Sequence, residues 1–149
     1  MKIGIGSDHG GFELKEYLKE YLKKQNIEYI DYGTNSLESV DYPDFALKVA
    51  EGVVNGECNK GIVVCGTGIG VSISCNKVRG IRCALLSDTY SARMSAEHNN
   101  ANVIALGGRV IGKDLAVEIV SAWLKSEFLG GRHERRINKI YDIEAKYML

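Results

Sequence analysis

The chain has 149 residues, 45% apolar and 26% charged, enough to build one domain whose core needs no disulfides. Its 19 basic and 19 acidic residues cancel, so nothing global argues for nucleic acid or an anionic membrane, and any anion must be bound locally. No segment approaches the length of a membrane span, and the start, MKIGIGSDHGG, lacks the pattern of a signal peptide. The four cysteines (Cys58, Cys65, Cys75 and Cys83) lie seven, ten and eight positions apart with no CxxC pair. Zinc-ribbon and thioredoxin readings therefore have little support, and reduced thiols in a cytoplasmic protein are expected.

In chain order, Lys2 to Ser7 reads as a first strand, closed by Asp8-His9-Gly10-Gly11. A helix follows, with Leu14, Tyr17, Leu18, Tyr21 and Leu22 on one face at the three-then-four spacing. Ile27 to Asp31 is a second strand, and Tyr32 to Tyr42 a polar loop. Pro43 sits where it can open the next helix, which carries Ala46, Val49, Ala50 and Val53 inward. Ile62-Val63-Val64 is short, apolar and β-branched, as in a strand buried on both faces. It ends in Cys65, and glycines then alternate through Gly66-Thr67-Gly68-Ile69-Gly70 before a small-residue helix start.

Ile81 to Leu86 is a fourth strand, and Ser87 and Asp88 are plausible caps for a helix running to about Glu97. His98-Asn99-Asn100 precedes a fifth strand, near Asn102 to Leu106, and then Gly107-Gly108-Arg109. The next helix is expected to bury Ala116, Val117, Val120, Trp123 and Leu124. Beyond Gly130-Gly131, a basic segment from Arg132 shows Ile137, Ile140 and Tyr141 at helical spacing. Strand and helix alternate throughout, which predicts a single α/β domain over 1–149. It is a Rossmann-like, doubly wound, five-stranded parallel sheet with helices on both faces. Ligands of such folds sit beyond the carboxyl ends of the strands, where Asp8, His9, Cys65 to Gly70 and Arg109 are expected.

The glycine corner carries the chemistry. Glycines there let the backbone turn sharply and leave N–H groups bare, and a helix start favours negative charge, including a thiolate. Cys58, Cys75 and Cys83 read as small buried hydrophobes; Cys65, at a strand end, is the candidate thiolate base. His9 and His98 are candidates for proton transfer, and His133, between arginines, is left without a role. Arg132 and Arg136 share a helix face and suit a phosphate, with Arg109 able to join them. The dinucleotide fingerprint lacks its final glycine, since Val71 stands there, although Asp88 lies about the right distance downstream for a ribose-binding acid. The P-loop pattern is absent, and no ligand spacing supports a metal site. The residues alone point to an anionic small molecule without naming it.

Five blocks add a more specific indication: SDHGG (7–11), DYPDFA (41–46), VCGTGIGVSISCNK (64–77), SAEHNNANVIALGGRV (95–110) and GGRHERR (130–136). Together they resemble the ribose-5-phosphate isomerase B family over nearly the whole chain. The resemblance implies a cytoplasmic enzyme of the pentose phosphate pathway that interconverts ribose 5-phosphate and ribulose 5-phosphate without metal or organic cofactor. It also implies a homodimer with sites at the subunit interface, or a dimer of dimers. By the same resemblance Cys65 would move the proton between C2 and C1, and His98 would help open the furanose ring. Asp8 and His9 would contact the sugar, and Gly66, Thr67, Gly68, Ile69 and Gly70, with Asn99, would hold the enediolate oxygens. Arg109, Arg132 and Arg136 would hold the phosphate. One branch of the family uses a carboxylate directly after the glycine loop; Val71 occupies that position here, which places the chain with the cysteine branch. An isomerase of six-carbon sugar phosphates (allose 6-phosphate or galactose 6-phosphate) and a non-catalytic nucleotide or sugar-phosphate binding module are the alternatives.

Overall fold

The computed structural model describes residues 1–149. The strands are β1 (Lys2–Ser7), β2 (Glu28–Asp31), β3 (Lys60–Cys65), β4 (Cys83–Leu85) and β5 (Val103–Gly107). The α-helices are α1 (Phe12–Lys24), α2 (Tyr42–Val54), α3 (Ile69–Cys75), α4 (Thr89–Glu97), α5 (Lys113–Lys125) and α6 (Arg132–Tyr147). All strand pairings are parallel, in the order β2-β1-β3-β5-β4. The order reverses between β1 and β3, which opens a crevice beyond their carboxyl ends.

The continuous apolar runs of β3 and β5 are explained by burial on both faces. Ile62, Val64, Ile104 and Leu106 join Leu14, Leu18 and Leu22 of α1 and Ile119, Val120 and Trp123 of α5 in one core. Val63, Cys65, Val103 and Ala105 face the other way, against Ala46, Val49 and Ala50 of α2 and Val71 and Cys75 of α3. Each fully buried Val, Leu or Ile among them contributes about 1.5–3 kcal/mol, so the two central strands anchor the fold. The Trp123 indole N–H donates to the Ala101 carbonyl at 3.0 Å, satisfying its only polar atom in the core.

Sequence and structure differ at several places. The fourth strand is shorter than Ile81–Leu86, because the Asn102 side chain takes the Arg82 N–H at 2.8 Å and the ladder starts only at Cys83. Val53, Val117 and Leu124 are half-buried flanks rather than core, and Tyr17 is exposed. Cys83 is likewise only half-buried, on the edge strand. On α6, Ile137 is buried but Ile140 and Tyr141 face outward, as do Ile143 and Tyr147, so the helix keeps an apolar side not used within its own chain.

Candidate active site

Three loops meet at the carboxyl end of the sheet. The first follows β1, where Asp8 is buried and its Oδ1 accepts the Gly11 N–H at 3.1 Å, capping a short turn over His9–Gly11. Gly11 is required there by space, since a Cβ would lie 2.4 Å from the Val64 carbonyl oxygen. His9 Nδ1 accepts the Val40 N–H at 3.2 Å, which leaves the proton of the neutral ring on Nε2. The second loop follows β3 and the third follows β5; they are joined by Gly108 N–H to the Cys65 carbonyl (2.8 Å) and Arg109 N–H to the Gly66 carbonyl (3.0 Å). The Arg109 guanidinium lies against Gly66, where a Cβ would come within 3.3 Å of Nη1. No carboxylate forms a salt bridge with Arg109. His9, Gly10, Gly108, Arg109 and Leu37 line a shared crevice.

Cys65 ends β3 with its side chain on the α2/α3 face and is 5% exposed, so only its approach from the corner is open. Its Sγ accepts the Gly68 N–H at 3.1 Å, a bond that a thiolate accepts more strongly than a thiol does. Gly68 has φ +81°, and a Cβ there would lie 2.6 Å from Leu85 Cδ1 and 2.8 Å from the Leu106 carbonyl carbon. Backbone conformation and space both demand glycine, and this residue aims the donor at sulfur. The N–H groups of Gly66 and Thr67 have no acceptor within the chain, and the Gly66 carbonyl that Gly70 would use in a longer helix is taken by Arg109. With α3 only seven residues long, these local donors matter more than the helix dipole. The Thr67 hydroxyl accepts the Ile69 N–H at 3.2 Å, and the Ile69 side chain projects outward, 52% exposed. The Tyr42 ring covers Gly70 so closely that a Cβ would meet it at 2.4 Å; the sequence reading gave that tyrosine no site role.

The remaining candidates lie at the opposite end of the sheet. Helix α4 starts beyond the carboxyl end of β4, where Asp88 accepts the Ser91 N–H as its cap rather than standing ready for a ribose. Nine residues later, roughly 13 Å along its axis, it delivers His98 and Asn99 to the amino-terminal edge. Asn99 opens there onto a hollow shared with Asn76, Arg82, Cys83 and Ile140. The start of α6 is fixed at the same edge, because the Leu129 N–H reaches the Glu97 carbonyl at 3.0 Å and the His133 ring stacks on His98 at 4.0 Å with a 10° interplanar angle. Arg132 and Arg136 flank His133 and have no salt-bridge partner. The candidates thus fall into two groups within one chain. Asp8, His9, Cys65 to Gly70 and Arg109 stand together, while His98, Asn99, Arg132 and Arg136 form a second group around a histidine that the sequence left without a role. No cluster of three or more His, Cys, Asp or Glu side chains has metal-binding geometry.

His133 is held below the ordinary histidine value of 6.5, by burial first and then by His98, Arg132 and Arg136. The unfolded chain binds this proton more readily, so the native state loses stability as pH falls below that value. Urea unfolding between about pH 7 and about pH 5 is expected to show the midpoint falling, with part of the slope removed in His133→Gln. An unchanged slope in the variant would contradict the assignment.

Fold and corner define an α/β protein with a thiol, bare amide donors and an unpaired arginine grouped at the carboxyl end of the sheet. Known proteins share this sequence and this fold over nearly the whole chain. The profile of the Ribose/Galactose Isomerase family matches residues 3–140. The chain is similar to ribose-5-phosphate isomerase B of Clostridium thermocellum, with a TM-score of 0.98 and 62% identity over 99% of both chains. It is 48% identical to ribose-5-phosphate isomerase B of Escherichia coli, covering 97% of each, and 43% identical to D-erythrulose-4-phosphate isomerase of Pectobacterium atrosepticum, covering 99% of each. The chain belongs to the ribose/galactose isomerase family.

Proposed function

We propose that the protein, acting as one unit over its whole length, is an aldose–ketose isomerase that interconverts D-ribose 5-phosphate and D-ribulose 5-phosphate through ring opening and a cis-enediolate. The observation that carries this reading is the Cys65 sulfur held by the Gly68 N–H beside the bare amides of Gly66 and Thr67. Cys65, as thiolate, takes the proton from C2 and returns it to C1. The negative charge then grows on the C1 and C2 oxygens, where pre-set N–H donors are worth roughly 3–4 kcal/mol each in comparable enzymes. Arg109 and the His9 Nε2–H grip the substrate on the same side of the crevice, and distant phosphate contacts fix the reacting carbons.

The second group belongs to the same site in this reading, supplied by another copy of the chain. His98 opens the furanose ring, Asn99 supports the enediolate, and Arg132 and Arg136 complete the phosphate grip. Two observations support a symmetric dimer: these residues lie at the opposite end of the sheet from Cys65, and both ends carry outward apolar residues, Ile69 and Ile73 on α3 and Ile140 and Ile143 on α6. A two-fold pairing that sets the amino edge of one chain against the glycine corner of the other completes two sites at once. All four cysteines are free, in keeping with a reducing, cytoplasmic setting.

The test is steady-state turnover with chelator present, on four-, five- and six-carbon aldose phosphates. Ribose 5-phosphate is expected to give the highest kcat/KM. A six-carbon phosphate winning would shift the reading to that substrate, and no turnover on any would leave a binding module.

A further inference from the structure

A buried charge network joins α1 to the carboxyl end of β2 and takes no part in the chemistry above. The Lys15 side chain is 0% exposed, and its Nζ lies 2.8 Å from both carboxylate oxygens of Asp31, at the carboxyl end of β2. Lys19 Nζ reaches Oδ2 of the same carboxylate at 2.8 Å and Glu16 at 2.6 Å. Burial pushes the Asp31 carboxyl up, but Lys15, Lys19 and the Gly33 N–H together hold it below its ordinary value of 3.8. Burying a lysine this completely is a poor way to gain stability, because desolvation offsets the attraction. Such pairs are better suited to fixing one arrangement of the backbone.

The backbone being fixed is the loop that holds His9. Asp31 Oδ1 accepts the Gly33 N–H at 2.9 Å. Gly33 and Thr34 are then tied to Ser7, the residue before Asp8, by Ser7 N–H to the Gly33 carbonyl (2.7 Å) and Thr34 N–H to the Ser7 carbonyl (2.8 Å). Residues 35–39 are exposed, and the loop touches down again at Val40, whose N–H donates to His9 Nδ1. We infer that Lys15 is a positioning residue for His9: through Asp31 it anchors the near end of this loop, so that the far end holds the ring with Nε2–H toward the substrate. The inference rests on the proposed role of His9 as a substrate contact.

The test reads the ring itself. ¹⁵N spectra of His9 in the substrate-free protein are expected to show one neutral tautomer, Nε2–H, in the native chain and a mixture of both in Lys15→Met. On ribose 5-phosphate, KM should rise roughly tenfold while kcat stays within about twofold. The paired variant K15M/D31N removes both charges, so neither is left buried and unpaired, and it serves if the single variant does not fold. The same signature is expected from it. A folded variant with lower thermal stability but native tautomer and native KM overturns the proposal. If the native chain turns over no sugar phosphate, the functional reading fails, yet the tautomer measurement still decides whether Lys15 positions His9.

Discussion

Replacing Cys65 by alanine is expected to lower kcat on ribose 5-phosphate by about 10²–10⁴-fold, the range a positioned general base supplies. The substitution should leave the fold intact, because Cys65 is a small side chain packed against α2 and α3 and its only polar contact is the Gly68 N–H. KM should change little, since Arg109 and His9 still hold the substrate. Steady-state kinetics beside circular dichroism of both proteins check this. A loss of only about tenfold would move the base elsewhere and return attention to the histidines.

Arg136→Ala is expected to reduce kcat/KM roughly ten- to a hundredfold, the worth of one hydrogen-bonded charge on a phosphate, with most of the loss in KM. The side chain is exposed and free of salt bridges, so the folded chain should melt at its native temperature. Within its own chain Arg136 lies at the opposite end of the sheet from Cys65. A large catalytic effect without loss of stability means that the arginine acts on a site it can reach only in another molecule. Kinetics matching the native protein would remove the second group from the site.

Much of this was legible in the sequence, for stated reasons. The β-branched run before Cys65 announced a strand buried on both faces, and Pro43 marked the start of α2, where it lies in the first turn. The glycines after Cys65 announced a corner, and Gly68, with its positive φ, is the one that shapes it. What periodicity could not give was direction. His98 and Cys65 were each placed at the end of an element, but a helix following a parallel strand runs back down the sheet. The end of α4 therefore belongs to the amino-terminal edge. The stacking of His133 on His98 joins residues far apart in the chain, and no spacing reports it. Nothing in the sequence singles out Lys15 and Asp31 as a buried pair, because burial of a charge leaves no mark on a hydrophobic pattern.

In the proposed dimer one site is assembled from the glycine corner of one chain and the His98–Arg136 edge of another. This arrangement is tested most directly by mixing two inactive proteins, Cys65→Ala and the double variant His98→Ala/Arg136→Ala, under conditions that exchange subunits. Random exchange should restore about a quarter of native activity, because half the dimers are mixed and each mixed dimer holds one site free of all substitutions. No recovery, with exchange confirmed by mass, would mean that each chain builds its site alone.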